Sequence, residues 1–425
     1  MMEYKRYDMK YYNLHIIKTK KFKTINIRVN FKRKLEKDEI TIRNFLNDLL
    51  INSSNKYPTS RDIVIETEEL YDIGVKTSPY KSGNYSIMSF HSVFLNEKYT
   101  EKGINKKSIE FLMELIFNPD IKNNKFDNNY FDIIKTSLKN NIESIKDNPS
   151  KYSLVRLYEE MDEGPVSYHS AGYMEDLNKI NPSNLFDYYK SVIENDSIDV
   201  FIIGDIKEEE IKNILDSYIP KTIKNNESIS HFLDLKNINN KEIKEQFDIN
   251  QSKLAIGLKA LDLTDFERKY VLSIYSSILG GGADSKLFKV VREKNSLCYY
   301  IGSTPSVIAN IITIVAGINS TDYDKAKTLI MEEFEKIKNG DFEEDDIEKA
   351  IVTYINGCKE IYDTPSAIIS NYLSHEYADI DLIEEKIEKV KKVTKEDIIE
   401  LAKKTVFDTI YILEGGNNIE KNTSI

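Results

Sequence analysis

Five histidines carry most of the metal-binding and acid–base potential of this 425-residue chain, and their spacing excludes the commonest hydrolytic arrangements. His15, His91, His169, His231 and His375 lie far apart. No two fall within a helical turn, so neither HExxH nor HxxEH is present, and zinc hydrolases of those types need two imidazoles projecting from one helical face. His91 falls in an alternating stretch on the side of Ile87 and Val93 and reads as a packed or edge residue. His375 and Glu376 follow a helical pattern and read as surface. Gly280-Gly281-Gly282 is the only run of three glycines; it follows one helix and precedes another, whereas a nucleotide loop joins a strand to a helix, so it reads as a cap and turn. No GxSxG elbow exists. Cys298 and Cys358, without CxxC spacing, make neither a disulfide framework nor a zinc ribbon.

The elements that must position any site alternate strand and amphipathic helix. Strands are predicted at Ile25–Val29, Tyr85–Leu95 and Val200–Ile203, and helices at Thr41–Ile51, Asp127–Lys146 and Ser183–Ile193. Ile109, Leu112, Met113 and Ile116 share one helical face. A polar stretch from about Tyr218 to Lys244, with Pro220 and no sustained period, reads as a linker. The order then recurs. Leu254–Leu258 is a strand, and Thr264 with Glu267 forms a capping box for a helix ending at Gly280. A β pair around Pro305, helices at Asp322–Ile337 and Glu343–Ile361, and a strand at Thr409–Leu413 follow. NPSNLFDYYKSVIENDSIDVFIIGDI, from Asn181, and VTKEDIIELAKKTVFDTIYILEGGN, from Val393, share the series cap, helix, polar turn, apolar strand, glycine. They stand half the chain apart, which suggests duplication of a whole domain. The expected fold class is α+β: two tandem homologous domains, each an antiparallel sheet with helices on one face. The expected boundaries are 1–220, a linker at 221–244, and 245–425.

A 40 % hydrophobic content fills sizeable cores, and the net charge of −11 opposes binding to a phosphate backbone, so nucleic acid is not an expected partner. No secretory h-region and no run of about eighteen apolar residues is visible, so neither membrane insertion nor export is expected and the cytoplasm is the expected compartment.

The most specific segment is GGGADSKLFKVVREKNSLCYYIGS, from Gly280 to Ser303. Here the chain resembles the insulinase/pitrilysin family of metallopeptidases and their processing-peptidase relatives, whose second domain carries a similar run. The resemblance extends over nearly the whole chain and implies duplicated domains facing each other as a clamshell. It makes Arg292 and Tyr299 the family's Arg/Tyr pair, which grips the substrate backbone across the cleft from the zinc and helps stabilise the tetrahedral intermediate. A guanidinium at a helix end and a phenol in the next strand can both donate to a peptide carbonyl or oxyanion. Strict alternation puts Tyr299 on the side of Leu297 and Ile301, with Cys298 and Tyr300 opposite.

The chain departs from the family at the metal. Active members carry HxxEH on the first helix and a third ligand, a glutamate, on a later one. Matching the Phe-Leu core of RNFLNDLLINSSNKYPTSRDI puts Asn44, Asn47 and Asp48 at the His, Glu and His positions. In SLKNNIESIKDNPSKY, Asn141 falls near the later glutamate, while Glu143 falls on another helical face. Amides are poor zinc ligands and cannot act as bases. The resemblance therefore implies a zinc-motif-less bacterial chain of the YmfF-like group, inactive alone and holding no metal. An HxxEH-containing paralogue would be its heterodimer partner and supply Zn²⁺ and base, with a peptide as substrate. A catalytically inactive peptide-binding scaffold is the alternative, and an independent metalloenzyme with a rearranged site is the third expectation.

Overall fold

The computed structural model describes residues 2–222 and 229–415. Strand β1 (Glu3–Asp8), β2 (Asn13–Lys18), β3 (Thr24–Lys34), β4 (Gly74–Thr77), β5 (Tyr80–Ser82), β6 (Tyr85–Leu95), a two-residue hairpin of β7 (Ile121–Lys122) and β8 (Lys125–Phe126), and β9 (Ser197–Gly204) occupy the first half. The second half holds β10 (Lys241–Phe247), β11 (Ser252–Ala260), β12 (Cys298–Ser306), β13 (Ile311–Ile318) and β14 (Thr405–Gly415).

The two sheets repeat one topology. The first runs β1-β2-β9-β3-β6-β4, with β5 also on β6, and the second runs β10-β14-β11-β13-β12. Removing β1 and β5 superposes the orders strand for strand. The sense of pairing agrees too: β2 with β9 and β10 with β14 are parallel, and the other matched pairs are antiparallel. The α+β duplication read from the Asn181 and Val393 segments is thus present, each sheet carrying one parallel pair among antiparallel ones. The residues after Gly415 in the second segment lie outside the described residues.

In the first sheet Ile25, Ile27, Val29 and Phe31 of β3 point into a core shared with Phe45, Leu112 and Ile116 from helices on that face. Burying such an apolar row removes area from water at about 25 cal/mol per Å². The alternate residues Asn26, Arg28 and Asn30 are polar and also buried, so the second face is covered as well. Arg28 donates to the hydroxyls of Ser370 and Ser366, both at 3.2 Å. In the second sheet Ile256, Leu258 and Ile412 enter the main core, while Ala255, Tyr411 and Leu413 on the other face meet Leu157 and Met161.

These covering helices explain a discontinuity in the chain. One compact unit comprises Met1–Glu143, His169–His231 and Asp363–Leu373; the other comprises Ser144–Tyr168, Phe232–Tyr362 and Ser374–Ile425. The expected 1–220 and 245–425 division is contiguous, and these units are not. Each sheet has the far face of its strands closed by a helical segment from the opposite half of the sequence. The stretch expected as a linker also contains structure: Leu233 N–H donates to Ile308 C=O at 2.8 Å, and β10 begins at Lys241. Residues 223–228 of it lie outside the described residues.

Candidate functional site

The Arg/Tyr region is built on the edge of the second sheet. The helix Leu272–Gly280 lies against β12 so closely that a Cβ on Gly280 would stand 2.8 Å from the backbone nitrogen of Ser303. The Ser303 hydroxyl donates to Ser276 C=O at 2.6 Å across this contact. The first of the three glycines therefore serves close packing, and Gly281 accepts the cap, its N–H donating to Ser277 C=O at 2.9 Å. Gly281, Gly282, Asp284, Asp346 and Lys349 line a cavity of about 220 Å³.

A π-helical stretch, Phe288–Lys294, follows. Its wide turn is seen where Asn295 N–H donates to Val290 C=O at 3.2 Å. Val291 points into the core, and Arg292 points to solvent with its Cζ 4.6 Å from the centroid of the Phe288 ring. The chain reverses through Ser296 at φ +53°, and Ser296 N–H donates to Arg292 C=O at 3.0 Å. This turn carries Arg292 to the start of β12, where burial pushes the Cys298 thiol up to about 11 against the opposing positive charge of Arg292.

Tyr299 does not share the face of Leu297 and Ile301. Cys298 pairs with Ile318 and Tyr300 with Gly317, so Tyr299 is an extra residue in the ladder. Such a β-bulge interrupts alternation and re-aims a side chain. Leu297, Cys298 and Ile301 are buried, and Tyr299 is 78 % exposed. Among the described residues neither the Arg292 guanidinium nor the Tyr299 hydroxyl has a hydrogen-bond or ion-pair partner, which leaves six N–H and O–H donors facing solvent on one helix–turn–strand unit.

Asn44, Asn47 and Asp48, which the family resemblance matches to the zinc motif, fall on the helix Ile40–Leu49, which is buried nearly all round. Asn44 donates to Ser170 C=O at 2.7 Å, and Asn47, fully buried, donates to Ser89 C=O at 3.4 Å. Asp48 accepts from the Thr77 hydroxyl at 2.6 Å, and its burial raises the carboxyl above its ordinary range against that bond. The Ser170 contact needs close approach. Gly172, at φ +91°, lies so near the helix that a Cβ would stand 2.6 Å from the Thr41 hydroxyl. The next N–H, of Tyr173, donates to that hydroxyl at 2.9 Å.

Asn141 is exposed near the end of the helix Asn128–Glu143, and Glu143 pairs with Lys139 at 3.9 Å. This donor set does not fit zinc. Two of its members are amides turned nitrogen-first onto carbonyls, and a raised carboxyl is a poor anion. Among the described residues no three His, Cys, Asp or Glu side chains converge as metal ligands.

A second polar group was not read from sequence. Arg28 Nε donates to His91 Nδ1 at 3.2 Å, and His91 Nε2 lies 3.0 Å from the Ser89 hydroxyl, which donates to Asn30 Oδ1 at 2.6 Å. Burial first, then Arg28 and Lys76, lowers His91 to about 3. The alternation in INIRVNFK was the signal that could have placed Arg28 and Asn30 together. His375, expected beyond a helix, sits within Pro365–Ala378, its Nδ1 3.0 Å from Ile380 O.

These features define a duplicated α+β fold in which Asn44, Asn47 and Asp48 make internal hydrogen bonds. Residues 179–353 match the family described as "Peptidase M16 inactive domain". The chain is 30 % identical over 406 residues, 94 % of its length and 95 % of the relative, to the "Probable inactive metalloprotease YmfF" of Bacillus subtilis (strain 168). It is also similar to the crystal structure of a conserved protein from Enterococcus faecalis V583, with TM-score 0.89 and 27 % identity over 97 % of this chain and 99 % of that one. The peptidase M16 inactive domain of Pseudomonas fluorescens shares the fold at TM-score 0.79 and 15 % identity, over 97 % and 98 % of the two chains. The chain belongs to the M16, insulinase/pitrilysin-type, metallopeptidase family, as one of its zinc-motif-less, YmfF-like bacterial members.

Proposed function

We propose that this chain is the non-zinc subunit of a cytoplasmic peptidase heterodimer. Arg292 and Tyr299 bind a peptide backbone and polarise the scissile carbonyl, and an HxxEH-containing paralogue contributes the metal and the general base. The observation that carries this reading is the pair itself: an exposed arginine at a helix end and a tyrosine turned outward by a β-bulge, both with free donors, inside the segment that matches the family. A guanidinium and a phenol donate to an oxyanion without leaving a charge of like sign beside it, and removing one such donor lowers kcat by ~10²–10³.

A second reading, a catalytically inactive peptide-binding scaffold, is favoured by the use of Asn44, Asn47 and Asp48 as internal hydrogen-bond partners. The test is reconstitution with an HxxEH-bearing relative from the same genome. In an active pair, Arg292→Ala and Tyr299→Phe lower kcat far more than they raise KM. A stable complex that binds peptide and never hydrolyses it establishes the scaffold instead.

A further inference from the structure

We infer that Phe288 is the positioning residue for Arg292, an inference that rests on the function proposed for the pair. An exposed arginine ordinarily samples many rotamers. Here the guanidinium lies against an aromatic ring. Long side chains on a helix lean back toward its N-terminus, over the residue four positions earlier, and that residue is Phe288. Its ring centroid lies 4.6 Å from Arg292 Cζ, well within the range of a cation–π contact.

The backbone that carries the ring is anchored. Leu287 and Val291, neighbouring positions on the same stretch, are fully buried and clamp the helix to the core. Phe288 N–H reaches the Ser285 hydroxyl at 3.4 Å, and the ring is half-buried. A ring face holds a cation in place and leaves its N–H edge free, whereas a carboxylate partner would occupy the donors that a substrate carbonyl needs. Phe288 therefore orients Arg292 without consuming it.

The test uses the full chain, alone and in the reconstituted pair. In the chain alone, the side-chain NMR signals of Arg292 carry a ring-current shift that disappears in Phe288→Leu and persists in Phe288→Tyr and Phe288→Trp. In the pair, Phe288→Leu lowers kcat/KM about 2- to 5-fold, mostly in kcat. Phe288→Tyr restores the rate, and Phe288→Leu has no further effect in an Arg292→Ala background. Unchanged Arg292 signals in Phe288→Leu, or a Phe288→Leu defect that survives in Arg292→Ala, overturns the inference. Full activity of Arg292→Ala overturns the proposed function, and the ring-current measurement still decides whether Phe288 holds the guanidinium.

Discussion

Acid stability offers a test of the buried network on the first sheet. The bond from Arg28 Nε to His91 Nδ1 makes Nδ1 an acceptor and so places the neutral ring's proton on Nε2, facing the Ser89 hydroxyl, which in turn donates to Asn30. Protonating His91 would set an N–H against the Arg28 N–H and a second positive charge beside the guanidinium. Burial first, then the charges of Arg28 and Lys76, hold the folded value down to about 3. A histidine free in the unfolded chain titrates near pH ~6.5. Because the folded value is the lower one, its contribution to stability is complete above about pH 6.5 and is lost as the pH falls from there toward 3. Between pH 7 and 5 the loss is about 2 kcal/mol, or nearer 1 after allowance for solvent around the ring. His231, lowered to about 4 by burial and Lys32, adds a loss of the same sign. Asp199, lowered to about 2, with His15 and Lys32 overcoming its burial, acts only below the ordinary carboxylate range, outside this window. The assay is the urea midpoint of the parent and of His91→Gln at pH 7 and pH 5, at one ionic strength. Glutamine can accept from Arg28 and donate to Ser89 without titrating, so the variant loses about half the parent's pH sensitivity. Equal pH sensitivity in the two proteins refutes the protonation argument.

Two further perturbations probe the site and the second sheet. Restoring the motif as Asn44→His, Asn47→Glu and Asp48→His yields no stoichiometric zinc, because the exposed Asn141 offers no third ligand; it costs about 1–3 kcal/mol from the lost bonds to Ser170 and Ser89. Elemental analysis that finds one zinc per chain would sink that expectation. Lys259, 2 % exposed, pairs with Asp408 at 2.9 Å and donates to the carbonyls of Met161 and Asn237. Lys259→Met strands a buried carboxylate and destabilises by ~3–5 kcal/mol. Adding Asp408→Asn recovers part of this in denaturant unfolding, and a double variant no better than the single one would refute the coupling.

What the sequence disclosed follows from the range of each signal. Capping boxes and amphipathic helices are local, so Thr264 with Glu267 and Thr394 with Asp397 could be read directly and are formed. Duplication was visible because one helix–strand unit recurs half a chain later. The exchanged helical segments were not, since nothing in PSKYSLVRLYEEM tells which of two similar sheets its apolar stripe will cover; Leu157 and Met161 meet Ala255 and Leu413 only through tertiary packing. Tyr299 was assigned to the wrong face for a related reason. Period-two counting assumes an unbroken ladder, and one inserted residue between Cys298 and Tyr300 reverses the parity.

The same contrast between buried and exposed positions separates Asn44 and Asn47 from Arg292 and Tyr299. Asn44 and Asn47 point inward, where a polar group without a partner costs about 1–3 kcal/mol; their amide N–H groups meet the carbonyls of Ser170 and Ser89, while among the described residues Asn47 Oδ1 has no hydrogen-bond partner. Arg292 and Tyr299 point outward and owe the core nothing. A tyrosine 78 % exposed on a bulged edge strand adds little to stability, and an exposed guanidinium lying on a ring face adds little more. Packing therefore accounts for Asn44 and Asp48 and does not account for the exposed pair, which is why the pair, and the ring beneath the arginine, are where a ligand is to be sought.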